Sequence, residues 1–135
     1  MDKNYKLYTD GGARGNPGPA GLGYVIFDGE KVIDFGAEFI PHATNNQAEY
    51  MALEKGLMLS KKAGVKDLLC YLDSELVVKQ LQGEYKVKNA NMKPLFDKIT
   101  SLIAGFDSVT FTHVPRAENS FADKLVNIAL DAKLS

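Results

Sequence analysis

The chain has 135 residues, 45% hydrophobic and 24% charged, with a net charge of −1. That length suits a single domain, residues 1–135, built round one core, and the composition is ordinary for a globular protein. No apolar run approaches the roughly 18 residues of a membrane span, so no membrane segment is expected.

A near-neutral balance argues against a strongly basic nucleic-acid binder. The distribution softens that objection. Lys79, Lys86, Lys88, Lys93 and Lys98 lie in one stretch with only Glu84 and Asp97 against them. Such a run reads as a solvated helix face or as a patch that tracks phosphates. The single cysteine, Cys70, sits in an apolar run and reads as a core thiol in a reducing compartment. No signal-peptide pattern is read at Met1-Asp2-Lys3-Asn4, so the expected location is cytoplasmic.

Tyr5 to Asp10 alternates and reads as a first strand. The stretch Gly11-Gly12-Ala13-Arg14-Gly15-Asn16-Pro17-Gly18-Pro19 follows as a turn almost without side-chain bulk. Gly21 to Phe27 is a second strand. Asp28-Gly29 is a hairpin signal, and Val32 to Ile40 is a third strand, closed by Pro41. Thr44 and Gln47 have the spacing of a capping box, so a helix starts there and runs to about Lys62, before Gly64. Asp67 to Asp73 is apolar between two acids, as in a strand buried on both faces.

Ser74 caps a short helix from Glu75 to about Leu81, and Glu84 to Asn91 is a connector. A helix follows from about Met92 to Ala104, with Leu95, Ile99, Leu102 and Ile103 on one stripe. Ser108 to Val114 is a fifth strand, Pro115 to Asn119 a loop, and Ser120 to about Ala132 the last helix. The order βββαβααβα predicts an α/β fold: a five-stranded mixed sheet, three antiparallel strands then two parallel, with helices on both faces.

Four acids stand where elements begin or end. Asp10 and Asp73 end strands that would open on one sheet edge, where such folds bind ligands. Glu49 lies on the inward stripe of the first long helix, with Leu53, Gly56 and Leu57. Asp123 lies in the first turn of the last helix. Each has a plain alternative. Asp10 reads as a turn residue before glycines, and Asp73 as a residue ahead of a capped helix. Glu49 and Asp123 read as acids answering a helix dipole. Together, four converging carboxylates would repel strongly unless a divalent cation lay among them. An all-oxygen donor set suits Mg²⁺ or Mn²⁺.

These motifs resemble ribonuclease H type 1: Thr9-Asp10-Gly11-Gly12 with Gly15-Asn16-Pro17-Gly18-Pro19, Thr44 to Glu49, Asp73-Ser74-Glu75-Leu76-Val77, and His113 to Asn119 with Ala122-Asp123. The resemblance spans nearly the whole chain and includes the element order. It implies a ribonuclease H-like fold and a Mg²⁺-dependent endonuclease that cuts the RNA strand of RNA/DNA hybrids. Two ions would be held by Asp10, Glu49, Asp73 and Asp123, with Mn²⁺ as a substitute. The products would carry 5′-phosphate and 3′-hydroxyl ends.

The resemblance also implies that His113 helps protonate the leaving group or release product. The backbone at Gly11, Gly12 and Ala13, with Asn45 and Glu75, would meet the RNA strand, Asn46 and Thr44 the DNA strand, and Asn16 would also bind substrate. Arg116 would reach a phosphate. Thr44 has two claims on its hydroxyl, as helix cap and as phosphate contact. The short stretch from Gly83 to Pro94 places the chain with members that lack the basic handle. Two alternatives accompany this reading: a relative acting also on double-stranded RNA or DNA junctions, and a catalytically silent hybrid-binding module. The expected state is a monomer, with the hybrid duplex as partner and no obligate protein partner.

Overall fold

The alternation at the start of the chain becomes strand β1, Tyr5–Ala13, in the computed structural model, which describes residues 4–134. The Asp28-Gly29 hairpin joins β2, Gly18–Asp28, to β3, Lys31–Ala43, and Gly29 takes the positive φ (65°) such a turn demands. Then follow helix α1, Asn45–Lys62, strand β4, Asp67–Leu72, and helices α2, Glu75–Leu81, and α3, Lys93–Ile103. Strand β5, Ser108–His113, a 3-10 turn at Arg116–Asn119 and helix α4, Ser120–Leu134, complete the described residues.

The sheet order is β3-β2-β1-β4-β5. β1 pairs antiparallel with β2, and β2 with β3, whereas β1–β4 and β4–β5 are parallel. This is the mixed sheet expected. Its consequence is that β1 and β4 point the same way. Tyr8 lies opposite Tyr71, so Asp10 and Asp73, each two residues further on, leave the parallel pair side by side.

Three details differ from the sequence reading. β1 does not stop at Asp10: Gly11, Gly12 and Ala13 continue its ladder against Leu22, Gly21 and Ala20. Glycines lack side chains but keep their N–H, and a neighbouring strand can hold them. Pro41 does not close β3, which runs on to Ala43. β3 is an edge strand, and the register shifts between Gly18 and Ala20 at this point, so the missing N–H is tolerated. The expected loop after Pro115 is a 3-10 turn. Between α2 and α3 the described residues 83–92 form no helix, in line with the absent handle.

Side-chain parity places the helices. Leu7 and Gly11 face α1: Leu7 packs against Gly56, and a Cβ on Gly11 would collide with the backbone of Ala48. Asp10 and Gly12 point to the other face, paired with Gly23 and Gly21. There α4 lies so close that a Cβ at Gly23 would stand 2.6 Å from the Ala122 carbonyl oxygen. The helices thus cover opposite faces. Leu7, Ile26, Leu53, Leu57, Leu68 and Ile99 are sealed in the core on the α1 side of the sheet. Tyr50 ties α1 to α2 by donating its hydroxyl to Gln80 Oε1 at 2.6 Å.

Candidate active site

Close helix approach to a glycine-rich strand end brings the acids together. β1 delivers Asp10, 8% exposed, and α1 delivers Glu49, 6% exposed, from the opposite face. Asp73 follows β4. One carboxylate oxygen from each of Asp10, Glu49 and Asp73 lies within 4.8 Å of the others. Glu49 Oε1 accepts the Gly11 N–H at 2.6 Å, which fixes its carboxylate at the strand end. Asp123, one turn into α4, lines the same cleft of about 490 Å³. Its Oδ1 accepts from Arg116 Nη2 at 3.2 Å, so it stands partly neutralised at the cleft edge.

The electrostatics follow from burial and crowding. Burial and then the Asp73 charge push the Asp10 carboxyl from 3.8 up to about 7, with Asp123 adding in the same direction and a hydrogen bond from Glu49 opposing. Burial, then the charges of Asp10 and Asp73, hold Glu49 well above 4.5, while the Gly11 N–H works the other way. Burial and mutual repulsion thus favour the neutral forms of Asp10 and Glu49, a conflict that a cation among them would relieve. The donor set is oxygen throughout, and Asp10, Glu49 and Asp73 could share a hard divalent cation, with Asp123 at reach across the cleft.

The Gly11–Ala13 backbone lines the cleft beside Asn45 and Asn46 at the start of α1. The Ala13 N–H donates to Asn45 Oδ1 at 2.8 Å, and the Asn45 N–H donates to Asn16 Oδ1 at 3.0 Å. Asn16 thus braces the start of α1. Thr44 caps that helix. Its Oγ1 accepts from the Gln47 N–H at 3.1 Å, and Gln47 Oε1 accepts from the Thr44 N–H at 2.9 Å. Capping uses a lone pair and leaves the hydroxyl proton to donate, so the two duties read for Thr44 are compatible.

Four residues expected at the site lie outside the cleft lining: Asn16 and Thr44, which brace and cap the start of α1, and His113 and Glu75. His113 ends β5, exposed, opposite Leu72 in register. With Glu75 it lines a second, shallow pocket, not the acid cleft. The sequence reading missed Arg14, Ser74 and Asn127, all of which line the cleft. It also missed the role of Asn119, which is 1% exposed and donates from Nδ2 to the Thr9 carbonyl at 2.8 Å. That bond anchors the 3-10 turn carrying Arg116 to the residue before Asp10. A polar residue in a loop run carries no signal of burial.

The model of a family described as Reverse transcriptase-like matches residues 8–129. A Ribonuclease HI of Halobacterium salinarum is 43% identical over 125 residues, covering 92% of this chain and 63% of that protein. The Bifunctional protein Rv2228c of Mycobacterium tuberculosis is 42% identical over 128 residues, or 93% of this chain. The chain spans 35% of that relative's length. Among solved structures, LC11-RNase H1 in complex with RNA/DNA hybrid matches with a TM-score of 0.93 at 42% identity, covering 98% of this chain and 100% of the other.

Proposed function

The chain belongs to the ribonuclease H family, and from that membership we propose that it hydrolyses the RNA strand of RNA/DNA hybrids as a Mg²⁺-dependent endonuclease. The observation that carries the reading is the meeting of Asp10, Glu49 and Asp73 oxygens within 4.8 Å at one sheet edge. A relative of full-length similarity that is bound to an RNA/DNA hybrid supports the substrate class.

Asp10, Glu49, Asp73 and Asp123 would hold two Mg²⁺ ions, with Mn²⁺ able to replace them. When bound, such ions activate a water and stabilise the leaving oxygen in an in-line displacement at phosphorus. A water oxygen would bond to phosphorus as the bond from phosphorus to O3′ breaks, and the fragments would carry 5′-phosphate and 3′-hydroxyl ends.

The Gly11–Ala13 backbone leaves room for ribose, whose 2′-hydroxyl separates RNA from DNA in a minor groove. Asn45, braced by Ala13 and Asn16, presents its side chain beside that backbone. Thr44 has a hydroxyl proton to offer a DNA phosphate next to Asn46. Arg116 would bind a phosphate near Asp123, and Glu75 would line the RNA path. His113 would carry a proton to the departing O3′ from its exposed position at the end of β5.

One panel tests the proposal: labelled RNA/DNA hybrid, double-stranded RNA, single-stranded RNA and double-stranded DNA, each with Mg²⁺, Mn²⁺ or chelator. The expected result is metal-dependent cutting of the hybrid's RNA strand. Equal cutting of double-stranded DNA would overturn the substrate class, and cutting in chelator would overturn the metal requirement.

A further inference from the structure

The acid cleft is lined by four carboxylates, Asp10, Glu49, Asp73 and Asp123, and by two cations, Arg14 and Arg116. A polyanionic duplex entering such a cleft needs positive groups at its margins as well as cations at its centre. Arg116 is placed by its bond to Asp123. Arg14 belongs to no role derived so far.

Arg14 follows the last residue of β1, and its surroundings fix its backbone while leaving its side chain half-exposed. Its N–H donates to the Pro19 carbonyl at 2.7 Å. Gly18 packs so tightly against the Arg14 carbonyl that a Cβ there would collide. The guanidinium, by contrast, is held only from the surface. Nη2 donates to Asp131 Oδ1 at 2.6 Å and reaches Asn127 Oδ1 at 3.5 Å. The two partners of the ion pair are 43% and 68% exposed. Exposed pairs contribute little net stability, so exchanging one anionic partner for another costs little.

Helix α4 gives the arrangement its scale. Asp123, Asn127 and Asp131 are spaced i, i+4, i+8 on one ridge of α4, and Asn127 Nδ2 also donates to the Asp123 carbonyl at 3.1 Å. Eight residues of helix span about 12 Å. The two cleft arginines are therefore parked on two carboxylates of one ridge, about two helical turns apart. A guanidinium presents a planar fork of donors that matches phosphate as well as carboxylate.

We propose that Arg14 is a phosphate-binding residue for the nucleic-acid backbone. In the free protein it rests on Asp131, and it transfers to a backbone phosphate beside the Gly11–Ala13 end of β1 when the duplex binds. The inference rests on the proposed hybrid reading. It gives this handle-less chain a cation at the cleft itself.

The test measures hybrid binding over a series of KCl concentrations with Mg²⁺, in an Asp10→Asn background that removes cleavage. Arg14→Ala should weaken binding roughly tenfold and flatten the slope of log K against log salt by about 0.9, the signature of one lost phosphate contact. Asp131→Asn should keep the parental slope and bind at least as tightly, because it frees Arg14 from its resting partner. If Arg14→Ala keeps the parental slope and affinity, the assignment of Arg14 falls. The same follows if Asp131→Asn weakens binding as much as Arg14→Ala, since the pair would then act only as a strut for α4. If the parental protein binds the hybrid no better than double-stranded DNA, the hybrid reading itself falls.

Discussion

Replacing Asp10 by Asn should stabilise the metal-free protein while abolishing cleavage. Folding takes Asp10 from water into a site where burial and Asp73 raise its carboxyl from 3.8 to about 7. The folded state therefore binds more protons than the unfolded chain between those values. By linkage, its stability is fully present below about pH 4, declines as pH rises towards 7, and is lowest above. The gap is about three pH units, and at about 1.4 kcal/mol per unit the ionised carboxylate costs about 4 kcal/mol at pH 8. Asn is neutral at every pH and nearly isosteric, so it escapes this cost but forfeits part of the local hydrogen bonding. The expected gain at pH 8 is thus about 2–4 kcal/mol, or roughly 7–15 °C in Tm for a chain of this size. The assay is thermal and urea unfolding of both proteins from pH 4 to pH 8 in chelator, then with Mg²⁺. The two stability curves should converge near pH 4 and separate above it. Added Mg²⁺ should stabilise the wild type, by about 2.7 kcal/mol at a hundred times its dissociation constant, and Asp10→Asn much less. Equal stability of the two proteins at pH 8 in chelator would refute the argument that crowded, buried carboxylates strain this site.

Two further substitutions test the scaffold. Gly11→Ala drives a methyl group into the Ala48 backbone, which cannot swing aside; it should lose about 1–3 kcal/mol in urea unfolding, and an unchanged midpoint would show that α1 is not seated against β1 as described. Tyr50→Phe removes the buried donor to Gln80 Oε1 and should lose about 1–3 kcal/mol through the stranded acceptor, a loss that Tyr50→Phe combined with Gln80→Leu should partly restore in the same assay.

Much of this architecture was legible because single residues carry unambiguous physical signals. Asp28-Gly29 can hardly be anything but a tight turn, and Thr44 with Gln47 forms both bonds of the capping box. The apolar run from Leu68 to Leu72 marks a strand, and β4 does lie between β1 and β5, but it is not buried on both faces as expected. Leu68, Cys70 and Leu72 are buried while Leu69 is 37% exposed, because α4 packs on β2, β3 and β1 and leaves that face of β4 open. What escaped was decided by neighbours distant in sequence. Gly11 to Ala13 have weak strand propensity, and only the ladder offered by Leu22, Gly21 and Ala20 extends β1 through them. Pro41 stops a central strand but not an edge one, and position within the sheet is a property of the fold. The four acids could be picked out because each sits at an element end. Arg14 and Asn127 could not, because their meeting depends on how α4 crosses β2. That crossing is set by Gly21 and Gly23, which show in sequence only as small residues in a strand.

The same close crossing links stability and function at the cleft. Gly21 and Gly23 admit α4 close enough to carry Asp123 to the rim. Gly11 admits α1 close enough for Glu49 to accept the Gly11 N–H. Larger residues at these three positions would pack the sheet more conventionally and hold the helices further off, relieving the repulsion between the acids. The fold instead uses its least bulky residues where the carboxylates must crowd. The buried Asn119–Thr9 bond and the Tyr50–Gln80 bond lie on either side of that crowding. Each ties an element carrying a cleft residue to a neighbouring element. A site assembled this way keeps its acids close before any cation arrives, and the cost appears as raised carboxyl pKa values at Asp10 and Glu49. Relieving that cost by neutralising one acid must therefore make the protein more stable and less able to hold a cation, which is why the two effects of Asp10→Asn have one cause.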